Sequence, residues 1–599
     1  MTEKKDVWIA GIARGHNAGV CLLKNGKIVF SIEEERLSRM KYDGGPFASI
    51  KKILDYTDKL DYLVVAHTQK LAESAARVDF TGDDVYTGLA RKFGLIGRRG
   101  HHYYQHSQVV DLSHVHHKLH AACAFYRSGF SEAAALVVDG AGTFMNFAPM
   151  QENIVMFEVE SIFDCNYPHK FKTVYKHIGT KMPVPGVIAP EFGSELYDEQ
   201  GYKHEAVFSD RAGITKVYEA VTGYCGFQAI EAGKTMGLFP YGKPNDRIPP
   251  LFDKTSKIPL SNRNVIIPTY PNSALVNMNF FEYLENSDSD DLSLLDNRRD
   301  LAYAVQTETQ EQVLRLIRKA AEMTGHKKVV ISGGYGLNCV ANYYYLEQLR
   351  DEGIEIYVEP ISNDAGTAMG AALMFYHQMY PETNIDYSKD GLYLGPKYDI
   401  SNDELTKLAA KYSAEVIDAT HDDVVDLMQS KNIVALFQGR SENGPRALGN
   451  RSLLFDPTFV DGKDFVNLVK KREYFRPFAG TILQDHVHDW FDLRGKEDSP
   501  HMMYAVNCKE GVAEKIPSII HVDGTCRIQT VTRDQNPHYY DIIQAFYKKS
   551  GIPIVFNTSF NLGGDPLVET LEDAIETLAK SEIEYLYLPE LGKLVKVLN

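Results

Sequence analysis

A chain of 599 residues with 44% hydrophobic and 24% charged residues can bury more than one core, which excludes a compositionally disordered chain and predicts two domains. Its net charge of −16 opposes a general nucleic-acid coat, although a local basic groove and a nucleic-acid substrate remain compatible with it. No run approaches the roughly 20 apolar residues of a membrane helix. No signal-type apolar stretch follows Met1–Lys5, and seven cysteines without C-x-x-C spacing read as reduced thiols, so a cytoplasmic protein without a membrane partner is expected.

Val7–Ile12 is an apolar run of strand length, followed by a loop over 13–19 that contains His16. Val20–Leu23 and Lys27–Ile32 flank Asn25-Gly26, a dipeptide that closes tight hairpins because both residues tolerate positive φ. The pattern returns at Ala133–Val138, which runs into Asp139-Gly140-Ala141-Gly142-Thr143. Two strand–glycine-loop–strand units predict a duplicated α/β domain whose loops can hold phosphates through backbone N–H groups.

Between the two units lies His114-Val115-His116-His117-Lys118-Leu119-His120, leading into helical sequence. His116 and His120 stand four residues apart, share a helix face and can grip one metal ion. The alternative is a His-rich surface segment, since seven histidines fall between 101 and 120. Asp139 ends a strand beside the glycine loop, and Asp364 lies where the strand Ile354–Val358 turns into a small-residue helix. Two imidazoles and two carboxylates suit Fe²⁺, Mn²⁺ or Zn²⁺. Val329–Ser332 reads as a strand running into Gly333-Gly334, with Asn338 just beyond. A nucleotide can set its phosphates against the following helix there, or the segment is only a tight turn.

Leu392-Tyr393-Leu394-Gly395-Pro396 reads as a boundary dividing domains at 1–391 and 392–599. Beyond it, Asp403–Tyr412 and His421–Ser430 read as helices, and Ile433–Gln438 as a strand ending in Gly439-Arg440-Ser441-Glu442-Asn443-Gly444-Pro445-Arg446-Ala447-Leu448-Gly449-Asn450-Arg451. Residues 439–476 hold eight Lys/Arg against five Asp/Glu, a local excess of positive charge in an acidic chain. Arginines at Gly and Pro turns suit a pocket for a highly charged small molecule, because a guanidinium grips phosphate oxygens bidentately. The candidates are Arg440, Arg446, Arg451, Lys470, Arg472, Arg476 and Arg527, with Asn557 and Ser559 as hydrogen-bonding partners. Surface ion pairs are the alternative.

These strings resemble a known family. Glu33–Lys41, His116-His117 with His120-Ala121, Gly233-Lys234-Thr235-Met236-Gly237-Leu238, Ser362–Gly366, the 439–452 segment, Arg472-Glu473-Tyr474-Phe475-Arg476-Pro477-Phe478-Ala479, His521–Arg527 and Phe556–Asn561 look like the nodulation-factor, tobramycin and cephamycin O-carbamoyltransferases. The resemblance implies an α/β protein: a duplicated actin/Hsp70-like (ASKHA) N-terminal domain and a YrdC-like α/β C-terminal domain that makes carbamoyl-adenylate. It also implies that His116, His120, Asp139 and Asp364 ligate a divalent metal, and that His16 and Lys41 sit near the transferring carbamoyl group. The chain departs from the usual pattern at Asn17, where Asp is common, and at Tyr335, where a small aliphatic residue is common.

The expected function is therefore ATP-dependent O-carbamoyl transfer. ATP and carbamoyl phosphate are co-substrates, Mg²⁺ accompanies ATP, and a hydroxyl is the acceptor. His16 is the expected general base, with a loop histidine capping its own turn as the alternative. Lys41 is the expected oxyanion stabiliser, and Arg446 joins them as a catalytic residue. Gly333, Gly334, Asn338 and Lys234 are expected at the nucleotide. The acceptor can be a natural product, a sugar or a hydroxymethylated base of phage DNA. The basic stretch Arg91–His106, with Arg98, Arg99, His101 and His102, either meets an anionic acceptor or is a solvated loop. A homodimer is one expectation for assembly. Rival readings are a tRNA threonylcarbamoyl-type modifier and a non-catalytic nucleotide-binding regulator.

Overall fold

The computed structural model describes residues 6–68, 85–97, 108–147, 154–180, 191–209, 213–248, 250–252 and 295–597. The chain divides into two compact units: residues 1–29 with 44–390, and residues 30–43 with 391–599. The segment 30–43, expected in the first domain, therefore packs with the second unit. Arg98, Arg99, His101, His102 and His106 lie outside the described residues.

The first unit holds two sheets. One has strands β1 (Trp8–Ala13), β2 (Gly19–Lys24), β3 (Lys27–Glu33, of which Phe30–Glu33 count with the second unit), β4 (Tyr62–Val65) and β5 (Val109–Asp111) in the order β3-β2-β1-β4-β5. The other contains β6 (Glu132–Val138), β7 (Phe144–Phe147), β8 (Ile154–Asn166), β9 (Lys170–Thr180), β10 (Glu191–Tyr197), β11 (Lys203–Ser209), β12 (Lys328–Ser332) and β13 (Glu355–Val358). Its order is β10-β11-β9-β8-β6-β12-β13, with β7 paired to β8. β1 pairs antiparallel with β2 and parallel with β4, which pairs parallel with β5; in the same way β6 pairs antiparallel with β8 and parallel with β12, which pairs parallel with β13. The path β3-β2-β1-β4-β5 recurs as β9-β8-β6-β12-β13, so the duplication expected from two glycine loops is present in the strand order itself.

The central strands are apolar on both faces: Ile9, Ala10, Leu22, Leu63, Val64, Ala134, Leu136, Val329 and Val330 have no exposed surface. Such runs need helices on both sides. The helices His116–Ser128 and Ala365–Met379 pack along one another, and the second also packs on β1. The buried residues of Ala365–Met379 are mostly Ala, Gly and Leu, which lets the backbones approach so closely that a Cβ at Gly370 would lie 1.9 Å from Leu119 O. Each fully buried Leu or Phe contributes about 1.5–3 kcal/mol.

The second unit is built on one mixed sheet of ten strands: β14 (Ala414–Asp418), β15 (Val434–Phe437), β16 (Arg451–Phe455), β17 (Ala479–Leu483), β18 (Phe491–Asp492), β19 (Ala505–Cys508), β20 (Thr525–Val531), β21 (Ile554–Ser559), β22 (Tyr585–Leu588) and β23 (Lys593–Val597). The order is β14-β23-β22-β15-β16-β21-β17-β20-β19-β18. The helices His421–Gln429 and Pro537–Ser550 start on side-chain caps, Thr420 and Asn536. They bury Val424, Val425, Ile542, Ile543 and Phe546 against Leu436, Leu454 and Val555 of the sheet. Both units are α/β.

All seven cysteines are free thiols. Among the described residues no helix is long and apolar enough to cross a membrane.

Candidate functional site

The first unit brings His116, His120, Asp139 and Asp364 together, with one donor atom from each lying within 4.8 Å of all the others. The helix beginning at His116 supplies both imidazoles, Asp139 directly follows the last residue of β6, and the helix Ala365–Met379 begins one residue after Asp364. His116 Nε2 lies 3.2 Å from His120 Nε2, 3.5 Å from Asp364 Oδ1 and 3.8 Å from Asp139 Oδ2, and His120 Nε2 is 3.4 Å from Asp364 Oδ1. Both imidazoles are buried. Burial alone would disfavour the His116 cation, but the Asp364 hydrogen bond and charge, with Asp139, outweigh it and raise its proton affinity. The reverse holds for Asp364, which burial pushes up and the two histidines carry well below the usual carboxylate range. Two imidazole nitrogens and two carboxylates converging on one buried point are a donor set that suits a divalent cation.

The loops around the cluster hold it in place. His120 Nδ1 approaches Ser332 Oγ at 3.4 Å, which turns Nε2 towards the carboxylates. Gly333 sits at φ +90°, where a Cβ would collide with the Val138 backbone. That turn lets the Gly334 N–H donate to Asp139 Oδ1 at 3.2 Å. His16 is exposed on the loop after β1 and acts electrostatically on Asp364 and on Glu219. Glu219, paired with Lys216 at 2.7 Å, has its proton affinity raised by burial, with Asp139 adding to the effect.

Asn338 caps the helix Cys339–Leu349 and exchanges hydrogen bonds with Gln306. Tyr335 is buried and donates to Thr309 Oγ1 at 2.8 Å. Lys234 pairs with Glu231 at 2.8 Å.

In the second unit, sheet register assembles the other candidates. Ala479, first residue of β17, stands opposite Arg527 of β20 on one side and Asn557 of β21 on the other. Three motifs distant in sequence thus lie in one row across the sheet. Lys470 is buried and donates to the Ser559 carbonyl and to Asn561 Oδ1 at 3.2 Å. Arg472 lies over the Phe478 ring at 4.8 Å and reaches Thr558 Oγ1 at 3.5 Å. Burial, then Arg472 and Arg476, push Lys470 well below its ordinary range; burial, then Arg476 and Arg527, do the same to Arg472. Glu473, 3.5 Å from Arg476, is the acid that opposes this field. Positive groups that depress one another's ionisation in this way favour an anion beside them.

Other predicted residues are engaged differently. Arg440 donates to Gly395 O at 2.6 Å and Leu394 O at 2.8 Å. Arg451 is fully buried and donates to Gln438 O at 2.6 Å, Asn450 O at 2.9 Å and Glu569 O at 3.2 Å. Asn557 Nδ2 is directed to Ala447 O, Thr481 Oγ1 and Gln529 Oε1. These three organise the turn that carries Arg446, which is half-buried. Lys41 pairs with Glu35 at 2.6 Å inside the second unit. There Arg36 donates to Gly444 O at 2.6 Å and Arg39 to Leu567 O at 2.6 Å. Sequence reasoning missed Arg36, Asn561 and Glu158. Arg36 sat inside a quoted motif, and its position after two glutamates on a short helix signalled only a local ion pair.

The family model described as Carbamoyltransferase N-terminus matches residues 8–373, and the one described as Carbamoyltransferase C-terminus matches 425–593. Nodulation protein NolNO of Sinorhizobium fredii is 28% identical over 95% of this chain and 77% of its own length. Nodulation protein NolO of Bradyrhizobium diazoefficiens is 30% identical over 78% of this chain and 76% of its own. Among solved structures, full-length HypF in its phosphate- and nucleotide-bound form aligns with a TM-score of 0.34 and 14% identity, over 63% of this chain and 56% of that one. With the first model spanning more than half of the residues and the second covering most of the rest, the chain belongs to the carbamoyltransferase family of enzymes.

Proposed function

We propose that this carbamoyltransferase is an ATP-dependent O-carbamoyltransferase whose second unit makes carbamoyl-adenylate and whose first unit delivers the carbamoyl group to a hydroxyl. The observation that carries the reading is the cation cluster of buried Lys470 with the partly buried Arg472, Arg476 and Arg527, gathered by the register of β17, β20 and β21. Holding these charges together costs stability that a polyphosphate and a carbamoyl phosphate would return on binding.

Water first cleaves carbamoyl phosphate to carbamate and inorganic phosphate. A carbamate oxygen then attacks the α-phosphorus of ATP; the bond to the β-phosphate oxygen breaks, and pyrophosphate leaves with Mg²⁺. Arg472, Arg476, Arg527 and Lys470 neutralise the charge that accumulates on the phosphoryl oxygens, and Arg446 sits on the adjacent turn to do the same. Ser559 and the Asn557 turn orient the carbamoyl amide. In the first unit the acceptor oxygen attacks the carbamoyl carbon, the bond from that carbon to the phosphate oxygen breaks, and AMP departs. His16 accepts the hydroxyl proton. His116, His120, Asp139 and Asp364 would hold an Fe²⁺, Mn²⁺ or Zn²⁺ ion, which as a Lewis acid supplies polarisation of phosphoryl and carbonyl oxygens. A sugar, another hydroxylated natural product or a hydroxymethylated DNA base fits the acceptor role.

The test is pyrophosphate release from ATP, Mg²⁺ and carbamoyl phosphate without acceptor, for the wild type, Arg446→Ala and Arg472→Ala. Release that requires carbamoyl phosphate and is lost in the variants supports adenylate formation. No release from the folded wild type, with or without an acceptor alcohol, sinks the adenylate mechanism.

A further inference from the structure

Behind the four-donor cluster lies a buried carboxylate that no part of the proposed chemistry uses. Glu158, on β8, is 1% exposed. Its Oε2 accepts the backbone N–H of His117 at 3.2 Å and that of Thr143 at 3.0 Å, while Oε1 pairs with the ammonium of Lys176 from β9. Thr143 completes the link: its Oγ1 accepts the His116 N–H at 3.0 Å and donates to Ser113 O at 3.0 Å. One carboxylate and one hydroxyl therefore tie the first turn of the imidazole-bearing helix to the loop that follows Asp139. The approach is so close that a Cβ at Gly142 would come within 2.7 Å of Glu158 Oε2.

A break in sheet register produces this geometry. Along β8 and β9, Glu158 stands opposite Ile178 and Glu160 opposite His177, so Val159 is an extra residue, a bulge. Glu160 is also fully buried; it pairs with His177, and its Oε1 accepts the N–H of Ile214 at 3.0 Å. The two carboxylates flanking the bulge thus serve different helices: Glu158 the helix that begins at His116, Glu160 the helix Ile214–Tyr224. An anionic side chain suits the N-terminus of either helix, but only Glu158 also binds the loop leading from Asp139.

We propose that Glu158, acting through Thr143, is the positioning residue of the His116/Asp139 half of the donor cluster, setting the spacing at which the site accepts a divalent cation. The inference rests on the metal reading of that cluster. A glutamine at 158 cannot serve both backbone N–H groups on one oxygen and Lys176 on the other, since its amide NH₂ would face either an ammonium or two N–H donors. Outer groups that orient metal ligands typically carry a 10–100-fold share of metal affinity.

The experiment uses the full chain, with Co²⁺ as probe, and follows both binding affinity by chelator competition and the visible absorption of the bound ion. Glu158→Gln and Thr143→Val are expected to weaken Co²⁺ about 10–100-fold and to alter the band shape. Glu160→Gln, which cuts the equivalent cap on the other helix, is expected to leave both unchanged. Thr143→Val keeps the carboxylate in place and serves if Glu158→Gln does not fold. Wild-type affinity and spectrum in folded Glu158→Gln or Thr143→Val overturn the proposal while the metal reading stands. Equal weakening by Glu160→Gln also overturns it, because the effect would then be general loosening. A wild type that takes up no Co²⁺ overturns the metal reading and this proposal together.

Discussion

The Nε2 atoms of His116 and His120 face each other at 3.2 Å, and Asp364 Oδ1 lies within 3.5 Å of both. Two nitrogen lone pairs at that distance repel unless a proton or a cation lies between them. Saturating Zn²⁺, Mn²⁺ or Fe²⁺ should therefore raise the thermal transition of the first unit. At 100 times the dissociation constant the gain is about 2.7 kcal/mol. His120→Ala should lose one equivalent of bound metal and the whole thermal shift. Retention of both, measured by metal content and calorimetry, would place the ion elsewhere.

The four cations of the second unit lead to an opposite pair of effects from one substitution. Burial, then Arg476 and Arg527, depress the ionisation of Arg472, so Arg527 and Arg472 repel one another. Arg527→Ala should leave the ligand-free protein as stable as the wild type or more so, while weakening ATP and carbamoyl phosphate by at least about tenfold, as removing one charge-assisted hydrogen bond of about 1.5–3 kcal/mol predicts. Denaturant unfolding without ligand, set beside calorimetric titration with each ligand, separates the two effects. A variant that is less stable and binds normally would make Arg527 structural.

Both clusters were legible in the sequence to different depths. Asn25-Gly26 announced a hairpin, and the two residues do adopt φ of 50° and 81°. His116 and His120 were legible because helical spacing alone places them on one face, and Asp139 and Asp364 because strand ends feed the same edge of a sheet. Arg440 and Arg451 were read as ligand-binding because charge and turn residues are visible in a string, whereas burial is not; the structure directs their guanidinium groups to carbonyls. The resemblance implies Lys41 near the transferring carbamoyl group with His16, whereas the short segment 30–43 that carries Lys41 belongs to the second unit. Glu158 was invisible because its role depends on the bulge at Val159, and no local pattern encodes the register of two paired strands.

Lys470 predicts how ligand binding depends on pH. Burial and the neighbouring Arg472 and Arg476 lower its proton affinity well below that of a free lysine. An anion bound beside it restores the ammonium, so binding takes up a proton wherever the pH exceeds the lowered value. Affinity for ATP should then fall as pH rises from that value towards about 10.4, the unperturbed lysine pKa. The stability of the empty protein should change in the opposite sense. The unfolded chain binds the extra proton in this window, so stability rises with pH. Titration calorimetry in two buffers of different ionisation enthalpy would detect the uptake. Zero uptake, or a steady affinity across the window, would mean that Lys470 stays charged in the empty site.

Arg451 separates fold from ligand binding most sharply. Its guanidinium is fully buried, lies 3.7 Å from the centre of the Phe437 ring, and donates to the carbonyls of Gln438, Asn450 and Glu569. A lysine carries the charge but cannot spread donors across three divergent acceptors, so Arg451→Lys leaves buried carbonyls unpaired. Each such group costs about 1–3 kcal/mol, and Arg451→Lys should destabilise the second unit by at least about 2 kcal/mol in urea. Because Arg451 shapes the turn that carries Arg446, pyrophosphate release should fall as well, but only in proportion to the fraction unfolded or misaligned, and it should partly recover at low temperature or in a stabilising osmolyte. If Arg451→Lys instead unfolds at the wild-type midpoint yet fails to bind nucleotide under every condition, the guanidinium grips the ligand directly and its carbonyl contacts belong to the empty site alone.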